Sequence, residues 1–175
     1  MMRKFLLISL LALFACHHEQ AVDTIRKSHP SHKYTYVDID TASLRYFETD
    51  YLPVYSDIYE RDGTSRFMLT TTVSIRNTSL SDTAYLLSVT YYDSYGRKLT
   101  DYIKSTVLLS PLESIEFVVE EVEKLGGAGA NFIIDWAATN HSDQLLVQAV
   151  MISTHGQQGI SFLAEAKVIS RRYSE

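Results

Sequence analysis

The sequence has one cysteine, Cys16, among 175 residues, so it has no second thiol for an intramolecular disulfide. It also lacks an apolar run long enough for a membrane-spanning helix, which needs about 20 residues. Its longest apolar run, residues 5–15, has eleven residues, one of them a serine. The sequence therefore argues against a disulfide framework and against a helical membrane span.

What the N-terminus does have is the pattern of a secretory signal. Arg3 and Lys4 precede the short apolar run, and a small residue ends it. The stretch Leu13-Phe14-Ala15-Cys16 resembles the bacterial lipobox, although Phe14 is bulkier than the residue usual at its position. That resemblance implies that Cys16 is acylated and becomes the first residue of the mature protein. The alternative is an ordinary cleaved signal followed by an incidental cysteine.

Acylation would also explain why the only cysteine lies at this position, because thioether attachment consumes a thiol that an oxidising compartment would otherwise pair. Stable anchoring needs more than one acyl chain, and the cysteine of a lipoprotein carries two or three. By the same resemblance, His17 in place of an aspartate favours the outer membrane, with the domain facing the periplasm. We therefore expect a palmitate-type lipoprotein of the cell envelope whose membrane partner is lipid bound through Cys16.

The composition excludes some classes of partner. The whole chain has a formal charge of −5, and removal of residues 1–15, which include Arg3 and Lys4, makes it −7. A nucleic-acid surface needs a cationic face, so we expect no nucleic-acid partner.

The chain divides into three predicted parts: a signal peptide (1–15), a lipidated cysteine with a polar tether (16–46) and a folded domain (47–175). The tether has no sustained period of 2 or 3.6. It contains four histidines but no cysteine or carboxylate cluster at metal-ligand spacing, so we interpret it as a solvated linker rather than a metal site. Those histidines are His17, His18, His29 and His32.

The folded domain reads as a series of short strands. In FMLTTTVSIRN, one face is formed by alternate residues, namely Phe67, Leu69, Thr71, Val73 and Ile75. Further strands are predicted over residues 51–59, 84–92, 98–109 (broken near Ser105), 115–120, 131–138, 145–154 and 160–169. We expect residues 51–59 at a sheet edge because of Pro53, and residues 145–154 at a sheet centre. These patterns predict an all-β, immunoglobulin-like antiparallel β-sandwich of about eight strands.

Several blocks of the domain resemble an uncharacterised family of exported bacterial proteins, a domain of unknown function. The most specific blocks are GGAGANFIIDW (residues 126–136) and GQQGISF (residues 156–162). The resemblance covers roughly residues 50–170 and implies no established activity. IRNTS and LSPLES are in addition similar, in a generic way, to immunoglobulin-like modules of bacterial envelope proteins, which mostly bind or assemble.

No catalytic motif is present. The sequence has no GxSxG elbow, HExxH or paired CxxC, and we name no catalytic residue, metal ligand or cofactor. The function that we expect is a non-catalytic binding or assembly module whose partner is an envelope protein or a glycan. The alternative is a small periplasmic hydrolase or metal-binding protein that uses His155 and nearby carboxylates.

The candidate binding surface follows from the distribution of glycine. If strands alternate in direction, the loops that contain all seven glycines share one end of the sandwich, where glycine permits bare N–H groups and tight concavities. The strands that start at Asn131 and end at Thr154 are expected to pair, which would make two of these loops neighbours. Turn geometry alone is the competing explanation. The candidate residues are Gly126, Gly127, Gly129, Asn131, His155, Gly156, Gln157, Gln158 and Gly159.

Overall fold

The structure, a computed structural model, describes residues 34–60, 62–121, 124–140, 145–154 and 159–174. Apart from one turn of 3₁₀ helix at Thr41–Ser43, its regular elements are antiparallel β-strands. The strands are β1 (Thr35–Tyr36), β2 (Tyr46–Pro53), β3 (Asp57–Glu60), β4 (Ser65–Met68), β5 (Thr70–Asn77), β6 (Ala84–Tyr92), β7 (Lys98–Asp101), β8 (Val107–Leu109), β9 (Ser114–Val119), β10 (Asn131–Ala138), β11 (Leu145–Ser153), β12 (Ile160–Glu165) and β13 (Lys167–Tyr173).

The strands form two sheets and a hairpin. The seven-stranded sheet has the order β1-β8-β6-β10-β2-β13, with β7 also paired to β6, and the four-stranded sheet has the order β12-β11-β5-β9. β3 and β4 form the separate hairpin. The predicted all-β antiparallel sandwich is thus confirmed, with thirteen described strands rather than about eight. The count rises by five because each of the predicted stretches 51–59, 67–77, 98–109 and 160–169 corresponds to two strands, and because β1 precedes them.

The core lies between the two sheets and follows the period-2 pattern of the sequence. In β5 the side chains of Thr71, Val73 and Ile75 are buried, and those of Thr70, Thr72 and Ser74 are half-buried on the outer face. Aromatic rings fill the space between the sheets, with Tyr91 stacked on Phe132 at a centroid distance of 4.8 Å. Trp136 is also buried.

The pairing of strands differs from the predictions in two places. β2 lies between β10 and β13 and is not an edge strand. Pro53 is compatible with this position because it is the last residue of β2, where the ladder ends. Also, β10 and β11 do not pair: β10 lies between β6 and β2, whereas β11 lies between β5 and β12 at the centre of the other sheet. The chain crosses between the sheets after Ala138.

The strand pairing can be compared with that of an immunoglobulin domain. In that fold the second strand pairs with the fifth and the third with the sixth, and here β5 pairs with β9 and β6 pairs with β10. The outer strands differ from the immunoglobulin order, because here β2 pairs with β10 and β11 pairs with β5. β12 is at the edge of the four-stranded sheet and β13 is at the edge of the seven-stranded sheet. The chain passes from one to the other at Ala166, so the two strands close one side of the sandwich.

Residues 34–46, the last part of the predicted tether, belong to the folded domain. β1 pairs with β8, Leu44 is fully buried, and the Arg45 N–H donates to the carbonyl of Ala138 (3.0 Å). The described folded part therefore includes residues 34–46, which the sequence assigned to the tether, because a short run of backbone pairing needs no periodic apolar face. Cys16 and the four tether histidines lie outside the described residues. Among the described residues, no helix is long and apolar enough to cross a membrane.

Candidate binding groove

Three glycine-containing loops meet at one end of the sandwich. β6 ends and β10 starts there, with Tyr92 opposite Asn131, and the β6–β7 turn and the β9–β10 loop lie next to each other. The β3–β4 hairpin extends from the same end, because β3 follows β2 and β4 leads into β5. Gly159 precedes β12 at this end too, since Ile160 is opposite Ser153, the last residue of β11. The described glycines thus share one end, which we call the glycine-rich end.

The glycines allow the β9–β10 loop to lie close to two serines. A Cβ atom on Gly126 would come within 1.9 Å of the Tyr91 Oη atom, so no larger residue fits there without movement. The Gly127 N–H donates to Ser56 Oγ (2.7 Å), and the Gly129 N–H donates to Ser94 Oγ (2.8 Å). The prediction that these loops present bare N–H groups is therefore wrong for Gly127 and Gly129. Their glycines serve close packing instead.

The turn after β6 is fixed by Asp93 and Gly96. Asp93 Oδ1 accepts hydrogen bonds from the Tyr95 N–H (2.9 Å) and the Arg97 N–H (2.8 Å), and Gly96 has a φ of 75°. The Ser94 hydroxyl makes two hydrogen bonds to the β9–β10 loop: it donates to Gly126 O (2.9 Å) and accepts from the Gly129 N–H. The floor of the glycine-rich end is therefore a hydrogen-bonded unit rather than a set of independent loops.

A groove of about 670 Å³ opens between the hairpin, this turn and the β9–β10 loop. Its most exposed aromatic side chain is Tyr95, which is 84% exposed. Arg66, on the β3–β4 hairpin, also lines the groove. It pairs with the buried carboxylate of Asp57, and its guanidinium carbon lies 4.2 Å from the ring centroid of Tyr59. Arg66 also donates to the Tyr59 hydroxyl (3.0 Å), so three contacts fix one cation. The volume is within the range of small-molecule sites.

The predicted site residues divide into three groups. Gly126, Gly127 and Gly129 line the groove. Asn131 and Gly159 lie at the same end, but neither is among the residues that line it. The remaining four, His155, Gly156, Gln157 and Gln158, lie outside the described residues.

The sequence analysis missed the side chains that give the groove its chemistry. Tyr59 and Arg66 are paired across the β3–β4 hairpin. The signal that could have revealed them is Asp62-Gly63, because Asp-Gly between two extended runs is typical of a tight hairpin and fixes which residues face each other.

A second polar cluster lies between the sheets and was also missed. Glu48 and Asp50 are 7% and 4% exposed and point inward from β2. Glu48 accepts hydrogen bonds from Arg171 Nε (2.5 Å) and from the Tyr46 hydroxyl, and Asp50 accepts one from Trp136 Nε1 (3.0 Å). Burial and the nearby charge of Glu48 raise the pKa of Asp50 to about 6. A sequence signal existed, because Glu48 and Asp50 are at alternate positions between Tyr46 and Leu52, and alternate residues of a strand point to the same face.

This cluster borders a small pocket of about 180 Å³, which Glu165 also lines. Within the described part of the chain, no group of three or more His, Cys, Asp and Glu side chains has an arrangement that could hold a metal ion. On the opposite face of the same sheet, Asp135 accepts hydrogen bonds from Thr49 (2.6 Å) and Ser88 (2.7 Å). Asp135 and Trp136 are therefore on opposite faces, as the alternation predicts.

The fold and the groove define an all-β antiparallel sandwich domain with a loop-built groove at one end. The chain belongs to the family described as "Protein of unknown function (DUF3124)", whose model matches residues 47–169. No curated protein matches the chain. A solved structure titled "Crystal Structure of Thermotoga maritima 1070" is similar at 14% identity and a TM-score of 0.40, over 69% of this chain and 92% of the other.

Proposed function

We propose that this protein is a lipid-anchored binding or assembly module of the bacterial cell envelope and contacts its partner through the groove at the glycine-rich end. The observation that carries the proposal is the construction of the groove. Its floor is held by paired serine–glycine hydrogen bonds, and its walls present Tyr59, Tyr95 and Arg66. Tyrosine and arginine are the residue types most enriched where binding energy concentrates in protein interfaces.

The position of the N-terminal segment supports this choice of surface. Thr35 pairs with Leu108, which in turn pairs with Tyr85 near the start of β6. β6 ends at the glycine-rich end, with Tyr92, so the chain enters the fold toward the other end. An anchor at Cys16 would therefore hold the domain by the part that lies away from the groove and leave the groove accessible to a partner.

The groove can be tested by site-specific photo-crosslinking in intact cells. Tyr95, at the groove, and Leu80, in the loop between β5 and β6 at the opposite end, are both 84% exposed and make a matched pair. A photoreactive amino acid at position 95 is expected to capture a discrete partner, whereas the same probe at position 80 is not. Equal capture at both positions, or none at position 95, would contradict the proposal.

The same assay separates the classes of partner and tests the sequence prediction for Gln157 and Gln158. Peptides of a second protein in the captured band indicate an envelope protein, and a captured band that glycosidases shorten toward the mass of the parent chain indicates a glycan. Capture from position 95 is expected to weaken in the Tyr59→Ala variant, because that ring is part of the groove wall. The Gln157→Ala/Gln158→Ala double variant is expected to weaken it too, with little change in melting temperature, since each amide can donate and accept.

The anchor has its own test, which is independent of the groove. The intact mass of the membrane-extracted protein is expected to correspond to a chain that begins at Cys16 and carries a diacylglycerol and an amide-linked acyl chain. The Cys16→Ser variant is expected to remain unprocessed. Native protein that is recovered in the soluble fraction with a free thiol would refute the anchoring.

A further inference from the structure

The outer face of the seven-stranded sheet carries a line of polar side chains that crosses four neighbouring strands. Strand pairing aligns one residue from each of β13, β2, β10 and β6, in the order Ser170, Thr49, Asp135 and Ser88. Residues directly opposite each other in antiparallel strands lie on the same face of the sheet. Because neighbouring strands are about 4.8 Å apart, this line is about 14 Å long. We call these four residues the polar row.

A β-bulge lies at each end of the polar row. In β6 the extra residue is Leu87, next to Ser88. In β13 the extra residue is Ile169, next to Ser170. A bulge bends its strand and re-aims nearby side chains, and bulges are frequent next to functional sites. The two strands that flank β2 and β10 therefore both depart from regular pairing at the level of the polar row.

Asp135, within the polar row, is hydrogen-bonded but its charge is not neutralised. Its Oδ1 atom accepts from the Thr49 hydroxyl (2.6 Å) and its Oδ2 atom accepts from the Ser88 hydroxyl (2.7 Å). Among the described residues, no lysine or arginine forms an ion pair with it. Each carboxylate oxygen can accept a further hydrogen bond, and so can the oxygen of each hydroxyl. The polar row thus offers acceptors to a ligand.

A pocket of about 290 Å³ lies at the polar row. Its lining adds apolar and cationic side chains to those of the row, among them Phe47, Leu87 and Arg172. The guanidinium carbon of Arg172 lies 4.0 Å from the ring centroid of Phe47, which holds this cation in place. Within the described part of the chain, no hydrogen bond uses its N–H donors. The pocket therefore combines acceptors, donors and apolar surface.

We propose that this pocket binds a saccharide. A sugar hydroxyl both donates and accepts hydrogen bonds, so hydroxyls of one ring can donate to Asp135 and accept from the N–H groups of Arg172. The C–H faces of the ring are apolar and suit Phe47 and Leu87, in the usual division of a ligand pocket between apolar lining and a few polar groups. An extended peptide fits this surface less well, because the face of a sheet offers no strand pairing, unlike its edge.

The proposal does not depend on the groove, and the experiment keeps the two sites apart. The full chain, purified in a detergent without a sugar headgroup, is applied to an array of neutral, amino-sugar and acidic oligosaccharides. It is expected to bind a defined subset, and calorimetry gives the affinity for the strongest binder. Asp135→Asn and Arg172→Ala are each expected to lower that affinity about tenfold or more, because each removes a charged hydrogen-bonding group.

Two control variants are expected to keep the affinity of the parent chain. Asp101→Asn changes a carboxylate on the same face of the sheet that already pairs with Lys98 (2.7 Å) and accepts from Thr90 (2.9 Å). Tyr95→Ala changes the wall of the groove. Saccharide binding that is lost in Tyr95→Ala and kept in Asp135→Asn would place the sugar in the groove and overturn the proposal.

Other results would also overturn it. One is a folded parent chain that binds no oligosaccharide of the array, and another is an equal loss of affinity in Asp101→Asn and Asp135→Asn. A third is a photoreactive residue at position 170 that captures a protein and no glycan, since the occupant would then be a polypeptide. If Asp135→Asn does not fold, as judged by Trp136 fluorescence, Arg172→Ala decides alone, because Arg172 is exposed on the edge strand β13.

Discussion

Replacing Asp50 with asparagine is expected to stabilise the protein at neutral pH. Asp50 and Glu48 lie two residues apart on the inner face of β2, where Arg171 is the described residue that supplies a positive charge to the pair. Burial and the charge of Glu48 raise the pKa of Asp50 from 3.8 to about 6 and outweigh the hydrogen bond from Trp136 and the charge of Arg171, while Asp135 adds a small repulsion. Asparagine keeps an oxygen for the Trp136 N–H and removes the repelling charge.

The sign and size of the effect follow from proton linkage. Because the folded state binds the Asp50 proton more tightly than the unfolded state does, this group favours the folded state below pH 4, and that contribution is lost as the pH rises through about 6. Two pKa units correspond to roughly 3 kcal/mol. Asp50 borders a pocket, so we discount this value for screening by solvent and expect about 1–2 kcal/mol.

The assay is urea unfolding followed by the fluorescence of Trp136, the only tryptophan of the chain. Asp50→Asn is expected to raise the free energy of unfolding by about 1–2 kcal/mol at pH 7.5 and to change it little at pH 4. Asp135→Asn removes a carboxylate from the outer face of the same sheet and is the matched control. If the difference between the Asp50 variant and the parent does not change with pH, or if the variant is less stable at pH 7.5, the reasoning fails.

Two further substitutions test the packing of loops. Gly126→Ala is expected to lower the free energy of unfolding by about 1–3 kcal/mol, because its methyl group would overlap the Tyr91 hydroxyl; an unchanged urea midpoint would contradict this. Asn77→Ala is expected to cost about 1–3 kcal/mol, since the buried Asn77 amide donates to the carbonyls of Asp82, Leu109 and Ser110, which would lose that partner. Thr78→Ala, next to Asn77, is the control, and an equal loss in both variants would refute the specific role of the amide.

The sequence by itself determined the elements and the faces they bury. Alternation over residues 69–77 identified the buried face of β5, and the Asp93–Gly96 turn has the conformation that its residues favour. The opposite orientations of Asp135 and Trp136 also follow from the sequence alone. These features are local, because the direction of a side chain in a strand depends only on its position along that strand.

Only the tertiary structure decided which strands are neighbours and where charges lie. Alternation predicts which face of a strand is buried but not which strand pairs with it. The sequence therefore did not reveal that β10 and β11, adjacent in sequence, belong to different sheets. Likewise, Glu48 in an inward position is acceptable only because Arg171, 123 residues away, pairs with it. The groove depends on the same kind of long-range arrangement, since Tyr59, Tyr95 and Gly127 come from the β3–β4 hairpin, the β6–β7 turn and the β9–β10 loop. A burial pattern is set by neighbours in the chain, whereas a site is set by neighbours in space.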